Sequence, residues 1–249
     1  MKKLFLLLFL LLTLISCKKE TSTNQEDIQN LIIEKDSVKE IEITIRDTVT
    51  IKVPKKLFIL IQKEYEGKNF TILNVALGNI DFNNTEDAVI IIQTTTNKKV
   101  SESLLVYQNN NDSYNLIAQN RSIITEEYFF TDEHTNSSKE IKIIDHHLKI
   151  ALFCYGPCGN TFLDFKFDNN DLLLKTFSTY DAGAGAQIER NFDVEKSMVT
   201  ITTTNTMTED MPITEEQFTF EYSKGIRFLD LNTKSLFSDL SELESKTIF

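Results

Sequence analysis

The sequence predicts a mainly β fold: a β-rich α+β chain with a twisted, mostly antiparallel sheet or two packed sheets, and one or two short helices. Three observations carry this. Strand-length segments, alternating or continuously apolar, recur from Thr71 almost to the C-terminus. Clusters rich in Asn and Asp separate them as turns. Helical spacing is confined to two short stretches. With only 3 prolines and 7 glycines in 249 residues, no second linker is visible, so one domain over 29–249 is the economical reading.

The N-terminus reads MKKLFLLLFLLLTLISCKKE. Lys2 and Lys3 precede an apolar run from Leu4 to Ile15, the length of a signal-peptide core. A spanning helix needs about 20 apolar residues, so this run is too short to be one. Leu14-Ile15-Ser16-Cys17 resembles the bacterial lipobox, in which cleavage before the cysteine leaves it lipid-bearing. The resemblance covers the first twenty residues and implies a signal peptide at 1–16, with palmitate-type acylation of Cys17. It further implies a lipoprotein of the cell envelope; Lys18 after the cysteine, where Asp often marks inner-membrane retention, points to the outer membrane. The alternative is a soluble secreted protein cut near Ser16. Residues 17–28 then comprise the lipidated cysteine and a polar, flexible tether.

Removing the leader changes the charge. Two of the 26 basic residues leave with it, so 24 basic residues face 37 acidic ones, a net charge of −13 over 233 residues. Such a surface repels nucleic acid and anionic headgroups. Nucleic acid is therefore excluded as a partner, and the bilayer is met only through the N-terminal anchor.

The elements follow in order. EIEITIRDTVTIKVP alternates, with Ile41, Ile43 and Ile45 on one side, which predicts a hairpin or a long kinked strand. Pro54 suits a helix N1 position, and Leu57, Leu60 and Ile61 predict a helix over 55–66 with Gly67 as its stop. TILNVALGNID, EDAVIIIQTTT, SLLVYQNN and SYNLIAQN predict four strands, with NNNDS at 109–113 as a hairpin turn. AVIIIQ is continuously apolar and belongs in the middle of a sheet. EIKIIDHHLKIALFCYG, NTFLDFKFDNNDLLLKTFSTY, NFDVEKSMVTITTT and EQFTFEYSKGIRFLDL supply further strands, with DNND at 168–171 as a turn. Leu236, Leu240 and Leu243 predict a short C-terminal helix.

Cys154 and Cys158 bracket Tyr155-Gly156-Pro157, a turn that brings two Cβ atoms together. In an oxidising envelope compartment they read most simply as a disulfide. The spacing is one residue longer than the redox Cys-x-x-Cys, and a zinc site lacks two further local ligands.

The stretch GNIDFNNTEDAVII places Asn79, Asp81, Asn83 and Asp87 at positions 1, 3, 5 and 9 of a loop between strands. With its flanking strands it resembles the FG-GAP/VCBS type of calcium-loop repeat, over about residues 70–124. Gly78 matches the leading glycine and Asp87 the final acid, while Phe82 and Asn84 replace the loop glycines and amides replace two acids. The resemblance implies a calcium site weakened to the millimolar range by its low carboxylate count. The other reading is a loop whose Asx side chains cap their own backbone. A propeller repeats blades of about 40–50 residues four to eight times, and one such loop in this length excludes a closed propeller.

Other candidates are weaker. On a strand, His146 and His147 would point to opposite faces, which argues against a shared metal. His134 lies in a polar stretch. DAGAGAQ at 181–187 lacks the Gly-Lys-Ser/Thr of a phosphate loop and reads as a turn; with CYGPCGN it would form the rim of a binding site. No Gly-x-Ser-x-Gly, Ser-x-x-Lys or His-Glu-x-x-His context occurs after the leader. Glu126-Glu127 and Glu215-Glu216 read as exposed pairs. The expectation is thus a non-enzymatic, envelope-anchored binding or scaffold module for a protein or glycan. The alternatives are an envelope hydrolase whose acids converge from distant strands, or a calcium-stabilised structural module.

Overall fold

A computed structural model describes residues 39–45, 49–111, 113–129, 137–154, 159–219 and 225–247. Cys17, the tether, His134, Cys158 and the side chain of Leu243 lie outside the described residues. The chain from Lys39 onward forms one compact unit, which is mainly antiparallel β with two helices.

The first alternation is a hairpin, β1 (Glu40–Ile45) with β2 (Val49–Pro54), rather than one kinked strand. Helix α1 (Lys55–Glu64) follows directly. Pro54 sits at its N-cap with φ −54° and ψ 130°, one place earlier than the expected N1. The helix ends two residues before the expected 66; Gly67, at φ 74°, lies in the turn beyond. Its buried face is Leu57, Phe58 and Ile61, so Phe58 takes the place expected for Leu60.

Four strands then form an antiparallel meander: β3 (Asn69–Gly78), β4 (Asp87–Thr96), β5 (Lys99–Asn110) and β6 (Ser113–Asn120). The run AVIIIQ is β4, and it is interior to the sheet as its composition demands. Successive side chains point to opposite faces. Val89, Ile91, Leu104 and Val106 enter the main core. Ile90, Ile92, Leu105 and Tyr107 are buried on the opposite face, where the Tyr107 hydroxyl donates to Glu64 of α1 at 2.7 Å. Both faces of this sheet are covered, which is why its central strands are apolar throughout.

A second meander follows after a 3-10 turn at Glu126–Tyr128: β7 (Ser137–Ile144), β8 (His147–Cys154), β9 (Asn160–Asp168), β10 (Asp171–Gly183), β11 (Ala186–Asp193), β12 (Met198–Asn205) and β13 (Ile213–Thr219). All seven are antiparallel neighbours in chain order. Two-residue turns at Asn97-Lys98, Asp145-His146, Asn169-Asn170 and Ala184-Gly185 have positive φ at both positions, the geometry that matches strand twist. β9 keeps its expected alternation: Leu163 and Phe165 are buried, while Phe162, Asp164 and Lys166 on the other face are half-buried. The stretch GIRFLDL is not a strand; it makes one bridge, Leu173 to Arg227, and then turns.

Helix α2 (Thr233–Thr247) lies over the inner face of the second sheet. Leu236 and Leu240 are buried as expected. Asn120 ties this end of the chain to the first sheet. Its Nδ2 donates to the carbonyls of Phe228 and Leu231, the latter at 2.9 Å, while its Oδ1 accepts from the N–H groups of Ser122 and Ile123. One apolar cluster runs from Ala76 in the first sheet through Phe165 and Phe192 in the second to Leu240 of α2.

Candidate functional site

The Asx loop joins β3 to β4, and its oxygens are occupied by N–H groups. The Oδ1 of Asn79 accepts from the Phe82 amide at 2.7 Å. Asp81 accepts from the backbone and side-chain amides of Asn83, at 3.1 and 2.9 Å, and from Gln108. Asn83 Oδ1 accepts from the Thr85 amide at 2.9 Å, and its Nδ2 donates to the Asn109 carbonyl at 3.1 Å. Asp87 is 1% exposed, and its two oxygens accept from the amides of Ile80 and Asn109, each at 2.8 Å. Burial raises the Asp87 pKa above the ordinary carboxylate value, against the lowering effect of those two amides. The four predicted residues therefore sit together in one loop. Their oxygens close Asx turns and pin the loop to β5. Among the described residues no three His, Cys, Asp or Glu side chains come together in a way that could hold a metal.

The loop has a second attachment that its sequence does not announce. Phe82 and Asn84 both adopt left-handed backbone, φ 68° and 59°. Asn tolerates this; Phe does so at a cost. The Phe82 ring stacks on His146 at 4.0 Å between centroids, and His146 Nδ1 lies 3.1 Å from the Asn79 carbonyl. His146 is at the tip of the β7–β8 turn, φ 63°, and only His147 belongs to a strand. The opposite-faces argument for the two histidines is corrected accordingly: one is a turn residue that clasps the Asx loop.

The same seam explains Gly78. A Cβ there would stand 2.8 Å from Cβ and Cγ2 of Ile143 on β7. The glycine that matches a calcium-loop position is thus needed for close packing of β3 on β7. Farther along, Asn74 Nδ2 donates to the Lys139 carbonyl at 3.1 Å, so the two strands run side by side in the same direction.

Behind this seam lies an ion pair absent from the sequence reading. Lys139 Nζ of β7 is 2.9 Å from Glu102 Oε2 of β5, with side chains 5% and 0% exposed. Gln93 donates to the other Glu102 oxygen at 3.2 Å, and Lys139 also donates to the Tyr128 carbonyl. Burial lowers the Lys139 pKa, and Glu102 works against that shift. The pair links the two sheets.

The stretches DAGAGAQ and CYGPCGN meet at Gly159 and Asp181. Gly159 packs against Asp181, and the Tyr128 hydroxyl donates to the Gly159 carbonyl at 3.2 Å and lies 3.1 Å from Thr161 Oγ1. Cys154 is disulfide-bonded, and Cys158 lies outside the described residues. Beneath α2 a slot with room for about one water is lined by Phe177, Thr179, Phe192 and Phe237, with Arg190 at its side. It holds no facing carboxylates. A His–acid pair does exist: His147 Nδ1 is 2.6 Å from Asp164. Both side chains are about a quarter exposed on the outer face of the second sheet, with Lys149 4.0 Å from Asp164. Glu215 and Glu216 are exposed on β13, as expected.

No family model, curated protein or solved structure matches this chain. The class defined by the fold is a β-rich domain of two antiparallel meanders around one core. Its polar clusters serve as turn caps and as clasps between the sheets.

Proposed function

We propose that the chain is an outer-membrane lipoprotein, anchored through Cys17, whose β-rich domain is a non-enzymatic binding or scaffold module for an envelope protein or glycan. The observation that carries this reading is the filled core between the two sheets, with polar side chains spent on internal hydrogen bonds. Such a domain offers surfaces and edges to a partner, and the slot beneath α2 is lined mainly by apolar side chains with no carboxylate. The lipobox and the polar segment after it support tethering at the bilayer. The Asx loop belongs to this reading as a connector between core strands.

The hydrolase alternative has one specific point in its favour, the His147–Asp164 contact. Affinity capture from intact envelopes with the anchored protein separates the two. The binding reading expects a saturable protein or glycan partner, retained when His147 and Asp164 are both changed to alanine. Hydrolysis of envelope glycans or esters that disappears in that double variant would replace it.

A further inference from the structure

The binding-module reading leaves open which surface binds. We infer that the free edge of β13, with the loop before it, takes up an extended, basic and apolar segment of a partner protein as an eighth strand. Three independent features converge there. β13 is the last strand of the second sheet and pairs only with β12 among the described residues. An unpaired edge presents backbone N–H and C=O groups that an incoming strand satisfies. The seven residues Ile213–Thr219 contain no proline, and all but Phe218 are exposed.

Next to this edge is a built apolar tip. Met207, Met211 and Ile213 are 77%, 53% and 67% exposed and fall within seven residues of sequence. The tip is held in shape from both sides. The Asn205 amide donates to the Pro212 carbonyl at 3.0 Å and the Thr206 amide to the Gly185 carbonyl at 2.8 Å. Met207 lies across Gly185, where a Cβ would be 2.5 Å from its Cγ. Thioether side chains on an exposed, fixed scaffold suit an adaptable apolar contact.

Charge selects the occupant. Glu209 and Asp210 sit in the tip loop, and Glu215 and Glu216 on the strand, all exposed. Gln217 donates to Glu215 at 2.8 Å, which keeps that carboxylate on the outer face of the edge. Two copies meeting edge to edge would bring these acids together, on a chain of net charge −11. The same acids that discourage self-pairing attract a strand carrying lysine or arginine.

The test uses the purified protein and a fluorescein-labelled peptide of about ten residues alternating valine and lysine, long enough to cover β13 at about 3.3 Å per residue. Fluorescence anisotropy is read at about 0.15 M salt. The expected result is saturable binding, weakened roughly tenfold by Met207→Ser/Met211→Ser and by Glu215→Lys/Glu216→Lys. Glu66→Lys/Asp239→Lys, which makes the same charge change at exposed positions elsewhere, leaves binding unchanged. Backbone amide exchange of the wild type with peptide should slow within 213–219, a readout that does not depend on any variant folding. Equal binding by all variants, equal binding of a valine–glutamate peptide, or protection confined to other strands would overturn the assignment. So would slowed exchange at 213–219 on concentrating the protein alone, which would make a second copy the occupant. An envelope partner captured equally by the wild type and the β13 variants would sink this inference while leaving the binding-module reading standing.

Discussion

Replacing Lys139 with methionine leaves the Glu102 carboxylate fully buried without its cation. At 2.9 Å and an effective dielectric constant near 20, the attraction between the two charges is about 6 kcal/mol. Desolvating both ions offsets most of that, so the pair's net worth is small. Removing one partner is different, because the burial cost of the other stays. Lys139→Met should therefore lose about 3–5 kcal/mol. The bond to the Tyr128 carbonyl adds little to this, since Ser137 Oγ also donates there at 3.2 Å. The double variant Lys139→Met/Glu102→Leu removes both charges and fills their volume with carbon; its loss should fall to about 0–2 kcal/mol, with Gln93 turning to water. Urea denaturation of the wild type, both single variants and the double variant gives the coupling energy directly, provided the slope with denaturant is constant. With each single variant losing about 3–5 kcal/mol and the double variant about 0–2, a coupling of about 4 kcal/mol or more is expected. Additive losses, or a Lys139→Met variant as stable as the wild type, would show that the pair does not join the two sheets as described.

Four further outcomes follow from the seam, the loop and one carboxylate at the end of β11. Gly78→Ala forces a methyl group into Ile143 and should cost about 1–3 kcal/mol in the same assay, whereas a loss below ~0.5 kcal/mol would mean β3 and β7 are not in close contact. Asp87→Asn turns one acceptor into a donor facing a buried amide and should cost about 1–2 kcal/mol, with removal of the buried charge offsetting part of the loss; wild-type melting points should also coincide in millimolar calcium and in chelator, and a rise with calcium would restore the cation site. Carboxyl NMR during acid titration should separate Asp87 from Asp193. Burial pushes Asp87 up, so the folded state protonates it before the unfolded chain does, and its contribution to stability grows as pH falls. For Asp193 partial burial pushes up, but the bonds from Lys196 hold it below its ordinary value, so its contribution is lost as pH falls through its folded pKa. Identical titration of the two would contradict both environments.

Much of the strand structure was legible because period-two alternation and Asx turns are local signals. AVIIIQ announced a strand in the middle of a sheet, and the turn at Asn169-Asn170 fell within DNND, between two strand patterns. The C-terminal helix was legible from Leu236 and Leu240. What pairs across sheets was not. Glu102 and Lys139 each look like an ordinary solvated residue of an alternating strand; only the approach of β7 to the first sheet buries them together. His146 was misplaced onto a strand because Asp145-His146 is a turn without glycine or asparagine, held by positive φ and by the Phe82 ring. Gly78 had a visible motif and a different reason, the side chain of Ile143. The Asx loop was read with two outcomes, and its partners on β5, Gln108 and Asn109, decide the geometry of its oxygens from a distance no local pattern reveals.

The proposed function requires a binding domain held at the envelope by a lipid on Cys17. Metabolic labelling of cells with palmitate, comparing the wild type with Cys17→Ser, tests it most directly. The expected result is a labelled, processed wild type and an unlabelled, uncleaved variant. Equal labelling of the two, or a processed variant released without lipid, would contradict it.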